Sequence, residues 1–159
     1  MSEKIDNIKK EYSKFEKKYK LPSFQSLNYD FDVEKIAEKE TELVLREMRK
    51  VIMDKVIAYL RFIEMLINPS NAPMFFIALA KYFTTEDKKT LESLYSKLGE
   101  FELNVIEIDN EYNEKEEAEF INNLYKDWQK IKKDMKKIVE ALRRGWRTKS
   151  RKNEKGYLG

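Results

Sequence analysis

Apolar residues recur in alternating steps of three and four in three separate stretches of the chain, the spacing that lines one face of a helix. Ile5, Ile8, Tyr12, Phe15 and Tyr19 form the first stripe, on a lysine-rich segment that must stop near Leu21 and Pro22. Leu91, Leu94, Leu98, Phe101, Val105, Ile108 and Tyr112 form the second, behind a helix-capping candidate at Thr84 or Thr85. The third runs through Ile121, Leu124, Trp128, Ile131, Met135, Ile138 and Leu142, and Asn113 followed by Glu116 marks its start as a capping box. Val105, Ile106 and Ile108 are β-branched and would suit an edge strand, but their fit to the stripe favours helix. The second and third stripes therefore predict an antiparallel helical hairpin over about 85–112 and 114–146. In that register Leu98 faces Trp128 and Leu91 faces Met135.

Between the first and second stripes, residues 32–67 predict one long helix of about 36 residues, roughly 54 Å at the α-helical rise. Val33, Ile36, Leu43, Val44, Met48 and Val51 give its first half one apolar face. Its second half, from Ile52 to Leu66, is apolar nearly all round and is expected to be the central, surrounded element. Asn68 to Pro73 then breaks the chain, and a short apolar helix over 72–83 is expected to be buried. Residues 21–30 read as an irregular, partly packed connection. Residues 147–159 lack apolar periodicity and read as a flexible basic tail on a single domain formed by 1–146. The fold expected is all-α, a bundle of about five helices.

Composition narrows the chemistry. The chain has 159 residues with neither histidine nor cysteine, which removes Ser-His-Asp and Cys-His nucleophilic sites, disulfides, and zinc sites built on imidazole or thiolate. With 4 Gly and 3 Pro there is little turn chemistry for a many-stranded sheet. No stretch is apolar over the roughly 20 residues that a membrane-spanning helix needs. The first residues lack the apolar core of a secretion signal, so a cytoplasmic location is expected.

The net charge of +3 conceals a strong segregation. Residues 100–119 hold nine acids against Lys115, whereas residues 126–155 hold thirteen Lys or Arg against four acids. In the predicted hairpin the acids gather at the tip, at Asp109, Glu111, Glu114, Glu116 and Glu117. Glu114, Glu116 and Glu117 favour the first turn of a helix, but Asp109 and Glu111 end the preceding one, where negative charge is unfavourable. The readings of that tip are a solvated end, a patch for a basic partner, or a divalent-cation site. An EF-hand is excluded, because the sixth position counted from Asp109 is Glu114 and the twelfth is Phe120.

Two further sets of residues carry candidate chemistry. Glu40 and Glu47 sit seven apart near an apolar stripe and either reach solvent or pair with Arg46, Arg49 or Lys50. Arg49 and Arg61 could be buried partners of acids. At the C-terminus, Arg143, Arg144, Arg147, Lys149, Arg151 and Lys152 are the binding candidates, with Trp146 and Tyr157 available to stack on bases. Such an arm suits a phosphate backbone, an acidic protein surface, or no ligand at all. Trp146, four residues after Leu142, also reads as the last core residue of its helix.

The function expected is that of a non-enzymatic adaptor, holding an unidentified protein through charged helical surfaces and the basic arm, without metal or cofactor and without a membrane. The second reading is nucleic-acid or ribonucleoprotein binding through that arm. The third is an Mg²⁺-dependent all-α nucleotide pyrophosphohydrolase, for which Glu114, Glu116, Glu117 and Glu119 supply Glu-x-x-Glu pairs but no neighbouring helix supplies the remaining acids. The stripes can pair within one chain or between two, so monomer and homodimer are both open.

Overall fold

The computed structural model describes residues 1–157, and the fold is all-α, with no strand among the described residues. Six α-helices follow one another: α1 (Ser2–Tyr19), α2 (Phe24–Phe31), α3 (Val44–Ile67), α4 (Met74–Ala80), α5 (Thr85–Asn110) and α6 (Glu114–Tyr157). Two short 3-10 helices, Val33–Glu38 and Pro69–Asn71, join them. No helix among the described residues is long and apolar enough to cross a membrane.

The helix ends follow local chemistry. Lys20 adopts a left-handed conformation (φ 53°) and ends α1 just before Pro22. Ser23 caps α2, its hydroxyl accepting from the Ser26 N–H at 3.1 Å, so residues 21–30 are more ordered than the irregular connection expected from sequence. Phe24, Leu27 and Phe31 form the buried face of that helix. Thr84 is the cap of α5: its hydroxyl accepts from Asp87 N–H at 3.1 Å, and the Asp87 carboxylate accepts from Thr84 N–H at 2.8 Å. Asn113 caps α6 through Glu116 N–H at 3.1 Å. The β-branched run at 105–108 lies within α5.

The long helix expected over 32–67 is two elements. Asp32 is left-handed (φ 59°), closing α2 through its N–H to the Asn28 carbonyl at 2.8 Å. Asn28 then turns the chain by accepting from Glu34 N–H at 3.0 Å. Val33, Ile36 and Ala37 of the 3-10 helix are buried, which a step of three satisfies as well as an α-helix does. The polar run Glu38 to Glu42 separates it from α3.

The chain divides into two compact units, the first formed by residues 1–58 and 100–128, the second by 59–99 and from 129 onward. In the first unit, Tyr12, Leu27, Val33, Ile36, Leu45, Met48, Ile52, Ile121, Leu124 and Trp128 are fully buried. Tyr12 donates to the Pro22 carbonyl at 2.6 Å, tying α1 to the start of α2. Phe31 packs on Trp128 with ring centroids 4.8 Å apart, and the Lys55 ammonium lies 5.8 Å from the Trp128 centroid. Phe101 of α5 meets Phe120 of α6 edge to face at 5.9 Å, across the short turn that joins the two helices.

In the second unit Leu60, Ile63, Leu66, Leu79, Leu91, Leu94, Leu98, Ile138 and Ala141 are buried. Gly145 brings α6 against α4: a Cβ at this position would stand 2.7 Å from the Leu79 carbonyl oxygen. Two expectations fail here. In α4 only Leu79 is buried while Met74 and Phe75 are exposed. In α3 the residues up to Val56 are the more completely buried, whereas Tyr59, Phe62 and Met65 are half-buried and Ile67 is exposed.

Candidate functional site

The acidic tip is built around a buried arginine. Arg49, on α3, is 1% exposed, and its Nε donates to Glu117 Oε2 at 2.5 Å while Nη2 donates to Asp109 Oδ1 at 2.5 Å. Glu117 is itself fully buried. Burial opposes the guanidinium charge, and the hydrogen bonds to Glu117 and Asp109 outweigh it, so the Arg49 pKa lies above its ordinary value. One turn earlier on α3, Arg46 Nη2 donates to the Asp109 backbone carbonyl at 3.1 Å. That carbonyl is in the last turn of α5, where the helix has no N–H donor of its own to offer it. Asp109, unfavourable at a helix C-terminus by itself, is thus matched by two arginines.

Glu114, the first residue of α6, accepts from Lys18 Nζ at 2.7 Å and from Tyr19 Oη at 2.6 Å. These hydrogen bonds hold its carboxyl below the usual carboxylate range. Asn122 Nδ2 donates to the Tyr19 carbonyl at 3.1 Å, so the end of α1 is fixed at two points on α6. Of the five predicted tip acids, Asp109, Glu114 and Glu117 therefore hold α1, α3, α5 and α6 together, while Glu111 and Glu116 are exposed. Glu116 and Glu119 line a cleft of about 330 Å³ with Glu107 and Asn104, and Glu119 lies 3.8 Å from Lys115. Glu40 is exposed, and Glu47 accepts from Lys39 at 2.8 Å and Lys50 at 2.9 Å, which lowers its pKa.

The basic residues follow a different plan. The sequence predicts a flexible tail over 147–159, yet α6 continues to Tyr157, and residues 158 and 159 lie outside the described residues. Lys and Arg are good helix formers and complement the negative end of the helix macrodipole, which accounts for the extension. Arg143, Arg147, Arg151 and Lys152 are exposed, and Lys149 is half-buried. Arg143 and Arg147 share Glu140 at 3.9 and 4.0 Å, surface pairs worth little. Lys152 Nζ lies 5.3 Å from the Tyr82 ring centroid. Arg144 is the exception, because its Nη2 donates to the capping carboxylate of Asp87 at 2.5 Å and so serves the fold.

Trp146 is not the last core residue. It is 50% exposed and packs on Phe75, which is 49% exposed, with centroids 5.4 Å apart. Phe75 meets Phe76 at 5.3 Å and Phe76 meets Phe62 at 5.7 Å, so a row of four rings leads from half-buried Phe62 and Phe76 to exposed Phe75 and Trp146. The sequence contained this cluster as the apolar run after Pro73, but nothing in the spacing joined that run to Trp146. The pairing of Arg46 and Arg49 with Asp109 was equally hidden, since it crosses 60 residues or more; the signal was the acid at the wrong end of a helix. No known protein family, no curated protein and no solved structure matches this chain.

Proposed function

We propose that this protein is a non-enzymatic binding protein that holds an acidic protein partner on the exposed, basic end of α6. The observation that carries this reading is the pairing of two features at one place. Arg143, Arg147, Arg151 and Lys152 stand exposed on the last turns of α6, and Trp146, which lies between Arg143 and Arg147 in the chain, forms a half-exposed pair with Phe75, itself next in sequence to exposed Met74. Aromatic anchors rimmed by arginine are the composition of binding hot spots, where a few side chains supply most of the affinity. The absence of histidine and cysteine from the sequence supports a binding role over catalysis.

The test is capture of partners from a nuclease-treated lysate by the full chain and by an Arg147→Glu/Arg151→Glu/Lys152→Glu variant. A protein retained after nuclease treatment and lost with charge reversal is expected. Identical captures by the two chains would end the reading. Nucleic-acid binding through the same arm is the second reading, favoured by Trp146, whose exposed ring could stack on a base. It requires probe binding that falls steeply as salt rises.

A further inference from the structure

A separate surface in the second unit has the chemistry of a small-molecule site. The end of α3, the 3-10 turn after it, α4 and the start of α5 enclose a cleft of about 380 Å³, within the range of ligand-sized pockets. Leu66, Ile77, Phe83 and Leu91 supply apolar lining, and Lys81 and Lys88 line the cleft as well. We infer that the cleft binds a single-tailed amphipathic anion, a medium-chain alkyl carboxylate, with the tail against Leu66, Ile77, Phe83 and Leu91 and the carboxylate between Lys81 and Lys88. This site is independent of the basic arm and of the partner proposed for it.

Three observations point to an anion with a tail. Neither Lys81 nor Lys88 is in an ion pair among the described residues, and Asp87, beside Lys88 in sequence, already accepts from Thr84 N–H and Arg144. Lys88 sits in the first turn of α5, bonded by its N–H to the Thr84 carbonyl. Positive charge opposes the helix macrodipole there, so helix stability does not account for it. Ile77 and Phe83 remain half-exposed in the cleft wall, apolar area that an alkyl chain would remove from water. Glu92 also lines the cleft, which leaves two cations to one anion and favours a ligand of single negative charge. A cationic amphiphile would share the apolar contacts and meet repulsion from the two lysines.

The experiment titrates the full chain with decanoate below its micelle-forming concentration and follows methyl chemical shifts by NMR. Acetate and decyltrimethylammonium serve as comparison ligands. Saturable shifts at Leu66, Ile77 and Leu91 are expected with decanoate, with at least a fivefold weaker affinity in Lys81→Glu/Lys88→Glu and no saturation with acetate. Both lysines are exposed, and Lys81→Gln/Lys88→Gln provides the same comparison with a smaller change of charge. The inference is overturned if decanoate gives no saturable shifts or if its shifts spread over exposed apolar residues such as Met74 and Leu103. Equal binding of decyltrimethylammonium, or an unchanged affinity in both lysine variants, would overturn it as well.

Discussion

Arg49 shows at the level of one residue why an acid stands where helix electrostatics disfavours it. Its guanidinium is buried with Glu117; removing Arg49 leaves the buried Glu117 carboxylate uncompensated, and removing Glu117 leaves the guanidinium with half-exposed Asp109 alone. Arg49→Ala and Glu117→Ala should each lower unfolding free energy by about 3–5 kcal/mol, measured by urea denaturation. The double variant Arg49→Met/Glu117→Leu should recover most of that loss, since Asp109 is half-exposed and can return to water. A near-additive double variant would contradict the pairing. Glycine supplies a second contrast. At Gly99 an added Cβ meets nothing within 4 Å, so Gly99→Ala should stabilise α5 by about 0.5–1 kcal/mol. At Gly145 the same change meets the Leu79 backbone at 2.7 Å, and overpacking of about 1–3 kcal/mol should outweigh the helix-propensity gain. Opposite shifts in melting temperature are expected, and two shifts of one sign would contradict the close approach.

At the scale of elements, the caps are the most local devices. Asn113→Ala removes the acceptor for Glu116 N–H and should cost about 1 kcal/mol. Thr84→Ala should cost about 1 kcal/mol as well, because it removes the acceptor for Asp87 N–H, while the backbone N–H at position 84 still donates to the Asp87 carboxylate. Asn113, the α5 stripe and the α6 stripe were legible in the sequence because each depends on residues within one or two turns. The stop at Asp32 was not, since Val33 and Ile36 fit a 3-10 step and an α-helical step alike. The left-handed Asp32 and the Asn28 side chain, bonding six residues ahead to Glu34 N–H, set the 3-10 turn. The exposure of α4 was also illegible. An apolar run predicts burial until the neighbours are known, and here Phe75 finds Trp146 at the surface instead of a core.

For the molecule as a whole, the absence of histidine gives a simple pH profile. Glu47 and Glu114 have folded pKa values below the ordinary 4.5, through hydrogen bonds from Lys39 and from Lys18 respectively. Their contribution is present above that value and is lost as pH falls through the folded values. Burial raises the Tyr12 phenol above its ordinary 10, so stability declines again once the pH passes 10 and the unfolded phenol ionises. Between about pH 6 and 9 no side chain with an ordinary pKa titrates, and melting temperature should stay flat there. A step near pH 6.5 would contradict this account.

The charge segregation was plain in the sequence, but its two halves have different uses. Much of the acidic end closes the fold through Arg49, Arg46, Lys18 and Tyr19, while Arg143, Arg147, Arg151 and Lys152 of α6 are exposed. The central claim, that this basic end holds a protein partner, is tested most directly by photo-crosslinking in cells. A photoreactive residue would be placed at Arg147 on the arm and, in a separate chain, at Lys10 on α1. The account predicts a discrete protein adduct from position 147 that is absent from position 10. No adduct at 147, or the same adducts from both positions, would contradict it.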